Sequence, residues 1–537
     1  MKRRSFFKTA IIGGSSLALV PLSACRPSSN PSSVNAKYTD FELNEATIQQ
    51  LQQKMKSGEL SSEIITRMYL ERIEQIDNKG PELHAVIEIN PDALTIARQM
   101  DEERKSNKVR GPLHGIPLLI KDNIDTGDHM QTTAGSLALV GSPAADDAFI
   151  VKKLREAGAV LLGKTNLSEW ANFRSNKSSS GWSGRGGQVR NPFSTDRSPC
   201  GSSSGTGVAV SANLCVVGIG TETDGSIVCP SGINGIVGIK PTVGLLSRDG
   251  IIPISHSQDT AGPMARTVTD AVILLGLLAE TDPNDIGVDL KRDNFITNYT
   301  KYLDAHGLKG ARIGIASSYF GFNAEVDTLM NDAVTLMKEQ GAEVMEGLKF
   351  ENSEQWSTAE WQVLISEFKA DLNAYLKTRQ GLKVQSLADL ITFNKENAQT
   401  ELKWFGQEVF ELAEKTGGLE EPVYLEALKK SKAMTREQGI DKLMEAHKLD
   451  ALIAPTNGPA WLIDWINGDH FGGGSSEPAA ISGYPSITVP AGFVHGLPIG
   501  ISFFGKAWSE PTLIRLAFAY EQASQHRKAP EFMKGIS

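Results

Sequence analysis

Only four cysteines occur in 537 residues, and no H-x-x-x-H or C-x-x-C spacing joins them or the nine scattered histidines. A metal centre built on such a pair is not expected, and no cofactor is implied. Cys25 stands apart near the N-terminus, which leaves Cys200, Cys215 and Cys229. Three thiols cannot complete a disulfide framework, so they read as small core-lining residues. Long basic runs are absent after the first few residues and the net charge is -9, which argues against nucleic acid as a partner. No internal apolar stretch is long enough to cross a bilayer. Internal repeats are also lacking. With 40% hydrophobic and 22% charged residues, the chain can bury a large core.

The N-terminus reads as a targeting segment. Lys2-Arg3-Arg4-Ser5-Phe6-Phe7-Lys8 is similar to a twin-arginine export signal, Ile11 to Val20 is a short apolar run, and Leu22-Ser23-Ala24-Cys25 is similar to a bacterial lipobox. The expectation is a signal peptide over 1–25, with Cys25 lipidated. A flexible Ser/Pro/Asn-rich tether then covers 26–40, and a folded domain covers 41–532. The protein would then work on the periplasmic or cell-envelope side, touching a membrane only through its anchor. Nothing in the sequence fixes the oligomeric state.

Along the domain, helical and strand patterns alternate. Ala46 to Asp77, Pro91 to Lys105, Asp147 to Ala157 and Thr267 to Leu278 have helical spacing. Ile116 to Ile120, Val160 to Gly163, Gly235 to Lys240, Ala311 to Ala316, Ala451 to Pro455, Ser486 to Pro490 and Pro498 to Phe504 read as buried strands. Residues 326–449 read as a largely helical outer layer, and a last helix runs from about Pro511 to Gln525. This alternation predicts an α/β fold, one large domain with a mixed central sheet.

Ser198 to Pro230 is the chemically richest stretch. It carries two small-residue clusters, Cys200-Gly201-Ser202-Ser203-Ser204-Gly205-Thr206-Gly207 and Thr223-Asp224-Gly225-Ser226. Such clusters leave hydroxyls uncovered and can turn backbone N–H groups toward an oxyanion. A Gly/Ser linker is excluded by the apolar run between them. Three serine chemistries compete. Gly201-Ser202-Ser203-Ser204-Gly205 matches G-x-S-x-G at Ser203, but that elbow must follow a strand, and Arg190 to Pro199 cannot form one. A Ser-His-Asp triad could draw on His114, His256 or His470, among which nothing selects. A Ser–Ser–Lys set could use Lys121 at the end of a buried strand, although Lys164 and Lys240 also end apolar strands.

The segments GIPLLIKDNID, GSSSG and GTETDGSIVCP together resemble the amidase signature family, in order and over nearly all of the mature chain. The resemblance implies an α/β/α fold around a mixed sheet and an amidohydrolase acting through an acyl-enzyme. It maps the catalytic lysine to Lys121, the bridging serine, held by a cis peptide, to Ser202, and the acyl-forming serine to Ser226. Backbone N–H groups of Thr223, Asp224, Gly225 and Ser226 would hold the oxyanion. Cys200 and Ser204 stand where the family has glycine, and Val228 where arginine is common. Trp170-Ala171-Asn172-Phe173-Arg174, Ser180-Gly181-Trp182-Ser183, Asn457-Gly458-Pro459-Ala460-Trp461 and Asn467 to Gly474 are most similar to the bacterial peptide amidase branch. That branch removes the amide from a peptide's C-terminal carboxamide. Competing expectations are a broad amidase on small or fatty-acid amides, and a lipid-anchored peptide-binding protein without catalysis. A transamidation subunit would conflict with the export signal.

Overall fold

The computed structural model describes Tyr38 and residues 40–285, 287–288, 295–351 and 353–536. The export signal and lipobox read at 1–25, and the tether apart from Tyr38 and Asp40, lie outside the described residues. Among the described residues thirteen strands occur: β1 (Val86–Ile89), β2 (Pro117–Lys121), β3 (Val160–Thr165), β4 (Trp182–Ser183), β5 (Gly187–Gln188), β6 (Val217–Glu222), β7 (Val237–Lys240), β8 (Thr260–Ala265), β9 (Arg312–Ala316), β10 (Glu343–Leu348), β11 (Ala451–Pro455), β12 (Ser486–Val494) and β13 (Leu497–Phe504). Eleven of them pair into one mixed sheet in the order β1-β3-β2-β6-β8-β7-β12-β13-β11-β9-β10, while β4 and β5 make a small ribbon. The α/β class and the mixed sheet agree with the sequence reading.

The sheet centre sets the site. β2 runs parallel to both β3 and β6. All residues of these three strands are buried, as expected for a parallel core covered on both faces. Because β2 and β6 are adjacent and parallel, Lys121 and Glu222, their last residues, come to the same edge of the sheet. Open α/β sheets place chemistry at such C-terminal edges.

The stretch between the serine clusters contains a helix, Ser204–Ser211, entirely buried. Its sequence, SGTGVAVS, has poor intrinsic helix propensity. Packing holds it, and small residues allow a close approach. A Cβ on Gly205 would lie 2.3 Å from the Ala85 carbonyl oxygen and 2.4 Å from that of Asn166. On β6 beneath it, a Cβ on Gly218 would meet the Thr206 methyl at 2.6 Å.

One expectation needs correction, and two strands went unread. Residues 326–449 hold, besides their helices, the strand β10, which pairs with β9. That edge strand, EVMEGL, buries only its last residue and carries two glutamates, so it lacks an apolar run. β8 was not anticipated either, since TAGPMA has few β-branched residues, yet it is fully buried between β6 and β7. The cysteine reading fails at two positions: Cys200 and Cys229 form a disulfide, with Cα atoms 6.2 Å apart, and among the described residues only Cys215 is free. An odd thiol count excludes a complete framework but not a single bridge, and the fold brings these two residues within bonding geometry. No helix among the described residues is long and apolar enough to cross a membrane.

Replacing Gly205 by alanine should lower stability by about 1–3 kcal/mol or more, because backbone oxygens rather than flexible side-chain ends oppose the methyl. The check is the denaturant midpoint at unchanged slope. An unchanged midpoint would mean that the helix can lift off the strand ends freely.

Candidate active site

Lys121 leaves the end of β2 and is wholly buried. Its Nζ donates to Ser202 Oγ at 2.7 Å, to Thr221 Oγ1 at 2.9 Å and to the Thr221 carbonyl at 3.3 Å. Asn123 Nδ2 donates to the same Thr221 hydroxyl at 3.0 Å. Burial pushes the Lys121 amine down to about 7, against the smaller opposing pull of Asp259 and Glu222. A substantial share of this lysine is therefore neutral near neutral pH.

Ser202 is fully buried in the first cluster. The peptide bond between Gly201 and Ser202 is cis, as the family resemblance implied. The Ser202 carbonyl accepts the Ser168 N–H at 3.1 Å, and the next N–H, that of Ser203, donates to the Ser226 carbonyl at 3.1 Å. The two clusters are thus stitched together at the position where a proton would have to pass.

Ser226 is 8% exposed and sits at the end of the turn after β6. Its hydroxyl has no hydrogen-bond partner among the described residues, so the structure joins Lys121 to Ser202 directly but Ser226 only through the backbone. The N–H groups of Thr223, Asp224, Gly225 and Ser226 likewise donate to no described residue. The next two are used: Ile227 and Val228 donate to Glu222 Oε2 at 2.7 and 2.9 Å, which starts the helix Val228–Ile233. Gly225 has φ 75°, a left-handed conformation that favours glycine. Four successive unpaired N–H groups on one turn are of the kind that can receive an anion.

Side chains beneath the turn hold it in place. Thr223 Oγ1 donates to Asp259 Oδ1 at 2.5 Å, and Asp259 Oδ2 accepts the Ile254 and Ser255 N–H groups. Gln258 Nε2 donates to the Thr223 carbonyl at 3.3 Å and to Glu360 Oε1 at 2.8 Å. Burial pushes the Asp224 carboxyl up to about 7, with the nearby Glu477 and Glu222 adding to the rise. A cavity of about 230 Å³ lies beside this network, lined in part by Asn123, Thr221, Thr223 and Asp259.

The other candidates have different surroundings. Ser203 Oγ donates to the Thr221 carbonyl at 3.0 Å and accepts the Thr221 N–H at 3.1 Å, so it sews the first cluster to β6. Lys164 bonds the Ile124 carbonyl and the Thr132 hydroxyl, and Lys240 the carbonyls of Pro241 and Tyr484. Neither touches a serine of the clusters. His114 contacts the Met100 carbonyl, His256 pairs with Asp371 at 2.8 Å, and His470 lies 3.7 Å from Asp464. None of the three histidines reaches Ser202 or Ser226. Sequence reasoning missed Thr221, Asn123, Asp259 and Gln258. Thr221 had a signal, as the hydroxyl that follows the small and apolar Val217 to Gly220 in β6.

The motifs read as peptide-amidase-like also converge. Trp461 Nε1 donates to Asp469 Oδ1 at 2.9 Å, and the Ser180 N–H donates to the same carboxylate at 3.1 Å. Trp465 donates to Gln188 and stacks on Trp404 with ring centroids 4.8 Å apart. The loop they form returns at Ser476, beside the turn, where a Cβ on Gly225 would lie 3.0 Å from Ser476 Oγ.

The Amidase family model matches residues 64–514. A probable amidase of Arabidopsis thaliana is 45% identical over 503 residues, covering 92% of this chain and 93% of that protein. The native peptide amidase from Stenotrophomonas maltophilia superimposes with a TM-score of 0.87 at 51% identity, covering 92% of this chain and 99% of that one. The structure of the peptide amidase PAM in complex with the competitive inhibitor chymostatin gives 0.89 at 52% identity, with coverage of 91% and 100%. On this match in sequence and in fold, the chain belongs to the amidase family and is an amide-hydrolysing enzyme.

Proposed function

We propose that the enzyme cleaves carboxamides through Ser226, Ser202 and Lys121, and that its substrates are the C-terminal amides of peptides. The observation that carries the catalytic part is the 2.7 Å contact between a dry, partly neutral Lys121 amine and Ser202 Oγ. Neutral Lys121 accepts the Ser202 proton as Ser202 takes that of Ser226, whose Oγ bonds to the amide carbon. The N–H groups of Thr223, Asp224, Gly225 and Ser226 receive the negative charge that develops on the carbonyl oxygen. The C–N bond then breaks, and the lysinium returns a proton through Ser202 to the departing ammonia. Water enters by the same relay, its proton going to Lys121 and its oxygen to the acyl carbon, and the carboxylic acid leaves as Ser226 is restored.

The peptide preference is supported by the two peptide amidase structures and by the loop of Trp461, Trp465 and Asp469, which meets Ser180 and Gln188 beside the oxyanion turn. For location, the basic segment, apolar run and Leu22-Ser23-Ala24-Cys25 support export and acylation at Cys25. The Cys200–Cys229 disulfide suits the oxidising side of a membrane. In cells, Cys25→Ser should move the protein from the membrane to the soluble fraction. An unacylated mature N-terminus in the wild type would reject the anchor.

Ser226→Ala should lower kcat by at least about 10⁴-fold, as loss of a covalent nucleophile does. Labelling by a fluorophosphonate should vanish with it, and substantial amide hydrolysis by the variant would overturn the assignment. Lys121→Arg keeps the charge but cannot act as a base, so activity should be lost rather than reduced modestly. The lysine must be neutral to act. kcat/KM should therefore rise with pH through about 7 and level off above it. A profile flat from pH 5 to 9 would exclude Lys121 as the base. Ammonia release from a peptide amide should exceed that from a simple aliphatic amide, and the reverse order would reject the peptide preference alone.

A further inference from the structure

Resting on that reading of Ser202 and Ser226, we infer that the Cys200–Cys229 disulfide is a positioning clamp that fixes the nucleophile turn against the relay loop, and that its reduction by a dithiol or phosphine switches the enzyme down. Cys200 precedes Ser202 by two residues and Cys229 follows Ser226 by three, so the bridge joins the two clusters at their outer ends. Each half is bonded into the segment it holds. The Cys200 carbonyl accepts Ser204 Oγ at 2.6 Å, and the Cys229 N–H donates to the Gly225 carbonyl at 2.8 Å. Pulling on Cys229 therefore moves Gly225, in the middle of the oxyanion donors.

Few other ties span the gap. The Ser203 N–H reaches the Ser226 carbonyl at 3.1 Å, and Asn234 Nδ2 reaches the Pro199 carbonyl at 2.9 Å. The sulfurs pack with Ile233, Ala460, Trp461 and Leu497, and the Trp461 carbonyl accepts the Ser198 N–H at 2.7 Å. The bridge thus also backs the loop that carries the peptide-amidase-like residues. By contrast, Lys121 is fixed by the end of β2 and by Thr221, and Ser202 by its hydroxyl on Lys121 and its carbonyl on the Ser168 N–H, contacts that do not pass through the sulfurs. Reduction breaks the S–S bond with two electrons from the reductant and leaves two thiols; a dithiol also gives the two protons and is left as its disulfide, whereas a phosphine takes oxygen from water, which gives the protons, and is left as its oxide. The lysine–serine pair would keep its geometry while Ser226 and its donors lose theirs.

The test compares the oxidised enzyme, the same enzyme reduced with a phosphine, and Cys200→Ala/Cys229→Ala, at a temperature well below every melting point. The result expected is a fall in kcat of about 10–100-fold, the scale of a misplacement near 1 Å. KM should stay within about threefold and the acid limb should stay near pH 7, since the Lys121–Ser202 pair is spared. Fluorophosphonate labelling should slow in parallel, and reoxidation of the reduced wild type should restore both. A bridge that only stabilises the fold would lower the melting temperature and leave kcat and labelling within about twofold, which overturns the clamp. Labelling of the oxidised enzyme at a residue other than Ser226 would overturn the functional reading and the clamp together. Labelling at Ser226 with equal rates in the oxidised and reduced enzymes would overturn the clamp alone.

Discussion

Taking the Lys121 amine out of water costs more than the nearby carboxylates recover. Asp259 and Glu222 favour the ammonium, yet burial outweighs them and leaves the amine at about 7. Desolvation alone does not make a base, however. Lys240 is just as buried and is lowered to about 8, but its partners are backbone carbonyls, which have no proton to give. What distinguishes Lys121 is a hydroxyl at 2.7 Å that can pass a proton onward. The rest of the site is arranged to keep that hydroxyl in place and to keep water away from the amine.

The arrangement requires backbone to approach backbone closely, which explains the composition of the central stretch. Ser202 lies two residues before a helix so near the strand ends that Gly205 has no room for a methyl. Larger residues in Ser204–Ser211 or on β6 would lift that helix and draw Ser202 from Lys121. The low helix propensity of the segment is thus the consequence of a packing constraint, with tertiary contacts supplying what local preference withholds.

That same constraint decides what could be read from the chain. Ala451 to Pro455 and Pro498 to Phe504 were legible as strands because burial on both faces writes a continuous apolar run. β8 and the helix Ser204–Ser211 were not, because close packing selects small residues and erases periodicity. The choice among Lys121, Lys164 and Lys240 could not be made locally, since the hydroxyl that singles out Lys121 stands 81 residues away. Family resemblance made that choice from motif order, and Lys121 is the one of the three whose Nζ touches a serine of the clusters. The Cys200–Cys229 bridge escaped for a related reason: parity counts thiols, whereas pairing depends on a fold that folds two distant turns onto each other.

One apparent conflict remains in the oxyanion turn, which would receive negative charge yet is flanked by Glu222 and contains Asp224. The two acids are handled differently. Glu222 is spent on the Ile227 and Val228 N–H groups, an acid at a helix start where the peptide dipoles favour it. By binding those two donors it also closes the helix there and leaves the four preceding N–H groups outside it. Asp224 is pushed up to about 7 by burial and by its acidic neighbours, so near neutrality much of it carries no charge to oppose an oxyanion. Burial therefore acts twice, favouring the neutral amine of Lys121 and the neutral carboxyl of Asp224.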